Sequence, residues 1–234
     1  MAKGFFITGT DTGIGKTVIT AALIKTANLL GFRACGMKPI ETGCLREGDV
    51  LIPSDGMFIK TIAHMGESVN YISPCCFENP LAPLPASEIE GISVNFEKIK
   101  RAYAELSQKY DVVIVEGLGG LLVPITGDYF VLDLARDFGL PVIVVSRPGL
   151  GTINHTMLTV NYAINAGLVV AGIIINYSLP SEGTSAENTN PEVLKKISPV
   201  PIVGIFPHLK DLEETTIERA IVKSLNLELI KRYL

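Results

Sequence analysis

The chain has 234 residues, of which 47% are hydrophobic and 19% are charged, and its formal net charge is −4. This length suits one well-filled α/β domain and is short for two, so we expect a single domain over residues 1–234. Lysine and arginine form no cluster, which argues against a nucleic-acid partner. No apolar run approaches the roughly 18 residues of a membrane span. Since residues 1–3 lead into a strand and not into a secretory signal, we expect a cytoplasmic protein.

The four cysteines lack the spacing of a metal site or of a disulfide framework. Cys35, Cys44, Cys75 and Cys76 contain no C-x-x-C motif, and two adjacent cysteines rarely form an unstrained mutual bridge. We therefore expect reduced thiols, most of them buried.

A glycine-rich loop follows the first predicted strand. Residues 5–7 are apolar and predict a buried strand, and the loop after them ends in GKT at residues 15–17. Glycines let backbone N–H groups converge on an anion because they lack a Cβ. In such a loop Lys16 would reach the outer phosphates of a nucleotide and the Thr17 hydroxyl would hold Mg²⁺. Helical spacing over residues 18–30 then places a helix N-terminus, whose dipole favours phosphate, behind the loop.

The middle of the chain predicts one strand and two helices separated by loops. Residues 32–38 predict a strand, and the polar stretch 44–56 predicts a loop that leads to a helix beginning near Ser54-Asp55. Four prolines between residues 73 and 85 exclude a regular helix, so we expect an ordered crossover loop there. Residues 96–108 have helical spacing.

The second half of the chain alternates strands and helices. The predicted elements are a strand at 111–115, a helix at 131–138, a strand at 142–145, a helix at 154–166, a strand at 169–175, a polar loop, a short helix at 192–197, a strand at 200–205 and a terminal helix from about Leu212. This alternation predicts a parallel sheet with helices on both faces, a three-layer α/β domain. Ligands of such sheets bind beyond the carboxyl ends of the strands.

Polar residues end several of these strands. Glu116 ends the central strand, where phosphate-loop enzymes usually have a carboxylate near the metal, and a helix-capping role is the alternative. We interpret Lys38, which precedes a rigid Pro39, as an anion-binding residue, with a solvated charge as the alternative. Asp55 is equally well explained as a plain helix N-cap. Residues 149–154 open a helix whose backbone amides can hold a carboxylate or phosphate of the substrate.

Two histidines, His155 and His208, raise the question of acid–base chemistry. Neither has an obvious carboxylate partner in the sequence. We therefore interpret both as ordinary, partly buried histidines.

These motifs resemble those of the dethiobiotin synthetases, phosphate-loop (P-loop NTPase-type) enzymes of biotin biosynthesis, over nearly the whole chain. The resemblance rests on GTDTGIGKT at 9–17, KPIETG at 38–43, SDG at 54–56, VEGLGG at 115–120, GTINH at 151–155 and IIINY at 173–177. Gly9 lies six positions before Gly15, one more than in the usual phosphate loop, and this longer loop is the form that the family has.

The resemblance implies an ATP- and Mg²⁺-dependent cyclo-ligase that acts on 7,8-diaminopelargonate and CO₂. One amine captures CO₂ as a carbamate, and the carbamate oxygen attacks the γ-phosphate of ATP. The second amine then displaces phosphate from the mixed anhydride and closes the cyclic urea. Such phosphoryl transfer depends on electrostatic clamping and alignment, which suits a site of lysines, a metal and backbone donors. The family also implies a homodimer with the substrate near the subunit interface.

The resemblance further implies roles for individual residues. Lys16 would contact the transferring phosphate and the carbamate, and Lys38 would stabilise the carbamate, so both are implied to be catalytic. The remaining implied sets are Thr17, Asp55 and Glu116 for the metal; Thr12, Gly13, Ile14, Gly15, Lys16, Thr17, Val18, Glu116, Asn176, Pro207, His208 and Leu209 for ATP; and Thr12, Lys38, Thr42, Gly151, Thr152 and Asn154 for the substrate. Some relatives place a partner-subunit tyrosine near the substrate tail where this chain has SAEN at 185–188, so that contact stays open.

Other functions are compatible with a phosphate loop. A switch ATPase of the partitioning or cell-division-site type carries a second lysine five positions before the invariant one, where this chain has Asp11. Such proteins also attach to DNA or membrane through a basic surface or an amphipathic terminal helix, for which residues 225–234 are too short and mixed. An amidating synthetase of the cobyrinate type needs a glutaminase domain, for which no room remains. A nucleotide-binding module without catalysis leaves Lys38 and Glu116 without a role.

Overall fold

Strands and helices alternate along residues 3–234, the part of the chain that the computed structural model describes. In chain order the elements are β1 (Lys3–Gly9), α1 (Lys16–Leu29), β2 (Ala34–Met37), β3 (Ile40–Thr42), β4 (Leu45–Glu47), β5 (Val50–Ile52), α2 (Ser54–Ile62), α3 (Val69–Ile72), β6 (Cys75–Phe77), α4 (Pro83–Glu90), α5 (Phe96–Lys109), β7 (Val112–Glu116), α6 (Val131–Phe138), β8 (Val142–Ser146), α7 (Thr152–Asn165), β9 (Val170–Asn176), α8 (Ser185–Ile197), β10 (Ile202–Phe206), α9 (Glu214–Ser224) and α10 (Leu227–Lys231). No helix in this described range is long and apolar enough to cross a membrane.

Six of the strands form one parallel sheet in the order β10-β9-β8-β1-β7-β2. Strands β7, β8 and β9 are buried along their whole length, as expected for parallel strands that are covered on both faces. The predicted parallel α/β fold is therefore confirmed.

Two consecutive phenylalanines of β1 show how both faces of the sheet are covered. Successive side chains of a strand point to opposite faces. The Phe5 ring packs against Tyr233, after α10, with ring centroids 5.9 Å apart, and the Phe6 ring packs against Phe138 of α6 at 6.2 Å. The sheet is the middle layer between these two sets of contacts.

The position of β1 in the sheet places the phosphate loop beside Glu116. Strand β1 lies between β7 and β8, and Ile7 is directly opposite Glu116 at the end of β7. The loop leaves β1 after Gly9 and enters α1 at Lys16. The loop and the Glu116 carboxylate therefore meet at the carboxyl end of the sheet.

Two stretches that were predicted to be loops contain regular structure in the first half of the chain. The polar stretch 44–56 includes β4 and β5, which form an antiparallel hairpin. The proline-rich stretch 73–85 includes β6, which pairs in parallel with β3, and the start of α4. The prediction that this stretch excludes a helix is wrong from Pro83 onward. Proline is tolerated in the first turn of a helix, where its missing N–H has no intrahelical acceptor.

The prediction of a loop before residue 192 is also wrong, because α8 begins at Ser185. The Thr184 hydroxyl accepts a bond from the Glu187 N–H, and the Glu187 carboxylate accepts one from the Thr184 N–H, which together cap the helix. Pro191 lies inside α8 and cannot donate to the Glu187 carbonyl. The Tyr177 hydroxyl donates to that carbonyl instead, at 3.4 Å.

The terminal helix predicted from Leu212 consists of two helices in the structure. Helix α9 begins at Glu214 and ends before Leu225, and α10 follows. The Asn226 side chain accepts a bond from the Leu229 N–H and so caps the second helix.

Candidate active site

A cleft of about 860 Å³ opens at the carboxyl ends of β1, β2 and β7. This volume is in the range of small-molecule sites. Ten of the residues that the sequence predicts for the site line the cleft: Thr12, Gly13, Gly15, Lys16, Thr17, Val18, Lys38, Thr42, Asp55 and Glu116. The structure therefore brings both lysines and all three predicted metal ligands to one place.

The backbone of the phosphate loop depends on its glycines. Gly13 and Gly15 have φ angles of 72° and 83°, in the left-handed region that residues with a Cβ rarely adopt. A Cβ on Gly15 would also lie 2.2 Å from Nδ2 of Asn176. That Nδ2 atom donates a 2.7 Å hydrogen bond to the Ile14 carbonyl. The end of β9 thus holds the loop in place before α1.

Lys16 lies almost completely buried at the start of α1. Its ammonium group donates to the Asp11 carbonyl at 2.9 Å. Burial and, after it, the positive charge of Lys38 lower the pKa of Lys16 to about 8, although Glu116 and other carboxylates act in the opposite direction. Lys16 therefore lies where an additional negative charge, such as a phosphate, stabilises its protonated form.

Lys38 has the opposite electrostatic environment. Its ammonium group is 2.5 Å from the nearer Glu116 oxygen and 2.8 Å from an Asp55 oxygen. Burial by itself would lower the pKa of Lys38, but the two carboxylates outweigh it and hold the pKa above its ordinary value. Lys38 is therefore a buried, permanently protonated cation.

The residues beside Lys38 fit a divalent cation that binds oxygen. Glu116 is only 1% exposed, and its Oε1 accepts a 3.0 Å hydrogen bond from the Thr17 hydroxyl. Its Oε2 is buried and has no hydrogen-bond partner among the described residues, which a buried carboxylate oxygen normally has. Mg²⁺ typically takes one or two carboxylates and completes its shell with phosphate oxygens and water. Thr17, Glu116 and Asp55 are suitable donors for such a site.

Glu41 also lines the cleft, although sequence analysis assigned it no role. It is 4% exposed, and its carboxylate accepts hydrogen bonds from the backbone N–H groups of Asp55 and Gly56 and from the Ser73 hydroxyl. Burial raises the pKa of Glu41, while the two backbone N–H bonds oppose the increase. The sequence contained no signal for this role, because Ser54 or Asp55 could have served as the N-cap, and only the structure shows Pro53 in that position.

Apolar residues also line the cleft. They include Pro80, Leu81 and Ala82, between β6 and α4, together with Phe58 and Val123. The sequence had revealed no function for the proline-rich stretch. In the structure it forms one wall of the cleft.

Other predicted site residues lie outside the lining of the cleft. Of the described residues, the lining does not include Ile14, Gly151, Thr152, Asn154, Asn176, Pro207, His208 or Leu209. Thr152 is buried and its hydroxyl is 3.2 Å from that of Thr156, whereas Asn154 is exposed. His155 is half-buried, as expected, but His208 is exposed, so the prediction of a partly buried residue is wrong there. The ligand roles of these residues stay predictions.

Known proteins similar to this chain carry consistent names. A family model described as an AAA domain matches residues 3–216. A Thermodesulfovibrio yellowstonii protein is 48% identical over 97% of this chain and 98% of its own length, a Bacillus subtilis (strain 168) protein 40% over 97% of each, and an Aquifex aeolicus protein 44% over 88% and 90%. Each is named ATP-dependent dethiobiotin synthetase BioD. The chain belongs to the dethiobiotin synthetase family.

Solved structures share the fold at much lower identity. The Pyrococcus furiosus cell division ATPase MinD has a TM-score of 0.54 at 18% identity and covers all of both chains. A ParA family ATPase from Chlorobium tepidum TLS has a TM-score of 0.53 at 15% identity and covers 94% of this chain and 98% of its own. The switch ATPases are therefore related to this member of the dethiobiotin synthetase family by fold alone.

Proposed function

We propose that this protein is an ATP-dependent dethiobiotin synthetase that closes a cyclic urea on 7,8-diaminopelargonate with CO₂. The observation that carries the proposal is that Lys38, directly after β2, reaches into the phosphate-loop cleft and pairs there with Glu116 and Asp55. A nucleotide-binding module needs the loop and Lys16 but no second buried cation. A carbamate or acyl phosphate intermediate is anionic and does need one.

The phosphate loop and its flanking residues would bind ATP. Backbone N–H groups of residues 12–18 and the Lys16 ammonium would hold the phosphates at the start of α1. Thr17, Asp55 and Glu116 would hold Mg²⁺, which neutralises charge on the phosphate oxygens when it is bound. Asn176 and the backbone of residues 207–209 are proposed to contact adenine, since β9 and β10 end on the same edge of the sheet as the loop.

The two lysines would act on different charges during the reaction. Lys38, held protonated by its carboxylate neighbours, would stabilise the carbamate and the charge that develops as its oxygen attacks the γ-phosphate. Lys16 would contact the transferring phosphoryl group. Neither lysine has to transfer a proton in this scheme, because their contribution is to align and stabilise anionic groups.

The composition of the cleft also suits the organic substrate. Thr12 and Thr42 line the cleft, and their hydroxyls are proposed to bind the reacting amines. Pro80, Leu81 and Ala82 offer an apolar wall to the methylene chain.

The position of the α7 N-terminus supports a homodimer. The cleft lining does not include residues 151–154 of the same chain, as far as the described residues go. Leu150 is 87% exposed, and Leu158 and Tyr162 of α7 are also exposed. We propose that this face meets a second subunit and that Gly151, Thr152 and Asn154 bind the distal substrate carboxylate in the cleft of the partner.

The free thiols of all four cysteines fit the predicted cytoplasmic location.

The direct test measures phosphate release from Mg·ATP and bicarbonate, with and without 7,8-diaminopelargonate, and follows the organic product by mass spectrometry. We expect release to depend on the diamine and the product to be heavier than the diamine by CO₂ less water. Omission of bicarbonate is the matched control and should abolish both signals. Slow phosphate release that does not depend on the diamine, and that increases when DNA or lipid vesicles are added, would overturn the proposal in favour of a switch ATPase.

A further inference from the structure

Glu41 makes contacts that are unusual for an acidic residue in a ligand cleft. Its side chain lies on β3 and is buried, and both carboxylate oxygens are occupied. Oε1 accepts from the Asp55 N–H at 2.8 Å, and Oε2 accepts from the Gly56 N–H at 3.0 Å and from the Ser73 hydroxyl at 3.1 Å. With three donors on its two oxygens, Glu41 is not itself a free metal ligand.

These contacts supply a cap that α2 does not provide for itself. The residue before the helix is Pro53, and the first N–H groups of a helix need acceptors from outside the helix. A carboxylate at this end is also favoured by the helix dipole. Glu41 lies 14 positions before Asp55 in the chain, so this cap is a tertiary contact.

The packing around the cap leaves little space for movement. A Cβ on Gly56 would lie 2.2 Å from the Ser73 hydroxyl oxygen and 3.5 Å from a Glu41 oxygen. The carboxylate, the glycine and the serine thus form a close contact between β3, α2 and the segment before β6. The helix start cannot shift without breaking it.

The capped residue is one of the three proposed metal ligands. The backbone of Asp55 is held by Glu41, while its side chain points to Lys38 at 2.8 Å. We propose that Glu41 is a positioning residue that fixes the first turn of α2, so that the Asp55 carboxylate meets the metal beside Glu116. This inference rests on the proposed function, because it assumes that Asp55 binds the metal.

The test measures binding of Mn²⁺, as a spectroscopic substitute for Mg²⁺, to the ADP-bound protein by electron paramagnetic resonance. Removal of a residue that orients a metal ligand typically weakens metal binding by about 10- to 100-fold. We expect Glu41→Ala to weaken Mn²⁺ binding by about tenfold or more. The Mg²⁺ concentration for half-maximal activity should rise by a similar factor, while turnover at saturating Mg²⁺ falls less.

A conservative variant keeps the test decisive if Glu41→Ala does not fold. Glu41→Gln has the same size but only one acceptor oxygen, and its amide N–H₂ would face one of the two backbone donors. It should weaken Mn²⁺ binding by less than Glu41→Ala does. Unchanged Mn²⁺ binding in a folded Glu41→Ala or Glu41→Gln variant would overturn the proposal.

Two further variants separate this inference from general effects. Glu187→Gln removes a similar carboxylate cap from α8, far from Asp55 in the chain, and should lower stability without changing Mn²⁺ binding. Asp55→Asn tests the metal ligand itself. If Asp55→Asn weakens binding and the Glu41 variants do not, only the positioning role fails. If Asp55→Asn has no effect either, the metal site proposed at Asp55 fails with it.

Discussion

The two halves of the central sheet end at the same edge but contribute differently to the cleft. On one side, β1, β7 and β2 bring the phosphate loop, Glu116 and Lys38 into one cleft. On the other side, of the described residues in the loops after β8, β9 and β10, Leu212 alone belongs to its lining. The difference arises in the segment between β2 and α5, which supplies Glu41, Asp55 and the 80–82 wall and encloses only the first half. Strand ends at one sheet edge predict that the residues there are neighbours. Which of these residues face the same cleft depends on the segment that folds over the edge.

The largest effect should come from the two lysines of the enclosed half. We expect Lys16→Ala and Lys38→Ala each to reduce diamine-dependent turnover by about 10²- to 10³-fold, because each removes a charge that stabilises the transition state. Lys195→Ala, which changes an exposed lysine of α8, should leave turnover unchanged. Near-normal turnover in Lys38→Ala would contradict this expectation, because the cation that follows β2 would then be unnecessary for the reaction.

The same pair should differ in stability. Lys38→Ala leaves the buried Glu116 carboxylate without its ion partner and should lower the free energy of unfolding by about 3 kcal/mol. Lys16→Ala should cost much less, because burial and Lys38 already disfavour the Lys16 charge. Urea unfolding monitored by circular dichroism distinguishes the two, and an equal loss would contradict the opposite environments of these lysines.

The next largest effect concerns the half that lies outside the cleft. Asn154→Ala should raise the KM for 7,8-diaminopelargonate by about tenfold and leave the KM for ATP unchanged, because it removes a hydrogen bond to a charged carboxylate. Steady-state kinetics with each substrate varied in turn measure the two constants. An equal change in both would place Asn154 at the nucleotide instead.

Mixing two defective variants tests whether α7 serves the partner's cleft. A dimer of one Lys16→Ala and one Asn154→Ala subunit would contain one intact site if the contact crosses the interface. With the diamine well below its KM, where Asn154→Ala alone has about a tenth of the normal rate, co-refolding equal amounts should recover about one quarter of the normal activity, since half of the dimers are mixed. If α7 serves its own cleft, mixing recovers nothing beyond the activity of Asn154→Ala alone.

Substitution of Asn176 should have a smaller effect on ATP binding, and two different substitutions separate the functions of its side-chain oxygen and nitrogen. Its Nδ2 donates to the Ile14 carbonyl, which leaves Oδ1 to accept from the adenine amino group. Asn176→Ala should weaken ATP binding by about tenfold and reduce the preference for ATP over GTP. Asn176→Asp keeps the acceptor and loses the donor, so it should weaken both nucleotides and retain the preference. Isothermal titration of both nucleotides would contradict the adenine contact if Asn176→Ala retains the preference.

The sequence predicted which residues meet around the phosphate loop because its motifs lie at strand ends. Lys16 lies in the loop that follows β1, and Glu116 ends β7. Because β1 and β7 are neighbours in the sheet, the alternation of strands and helices already predicts that these two residues are close. Asp55 is different, because without the family resemblance its position at a helix start favoured neither a metal ligand nor a plain cap. Its contact with Lys38 depends on how the segment after β2 folds back over the sheet.

The errors in the sequence analysis arise where a distant group compensates a local signal. The polar residues before 192 were predicted to be a loop, but α8 begins at Ser185, and the Tyr177 hydroxyl bonds the Glu187 carbonyl that Pro191 leaves free. The start of α2 near Ser54-Asp55 was predicted correctly, but its cap comes from Glu41 on another element and not from Ser54 or Asp55. Propensities act over a few residues, whereas these partners are brought close only by tertiary packing.

The smallest expected effect is the uptake of a proton by Lys16 when ATP binds. The pKa of Lys16 is about 8 in the free protein, and the ATP phosphates should raise it. At pH 8 about half of the Lys16 side chains are neutral, so binding should take up about half a proton and be about twofold weaker than at pH 6.5. Isothermal titration at pH 8 in buffers of different ionisation enthalpy, with EDTA present to exclude metal ions, measures the uptake. Lys16→Arg is the matched control, because arginine stays charged and reports only the protons exchanged by other groups. Equal uptake in both proteins would mean that Lys16 is already fully protonated, and that Lys16 and Lys38 do not differ in charge as their surroundings predict.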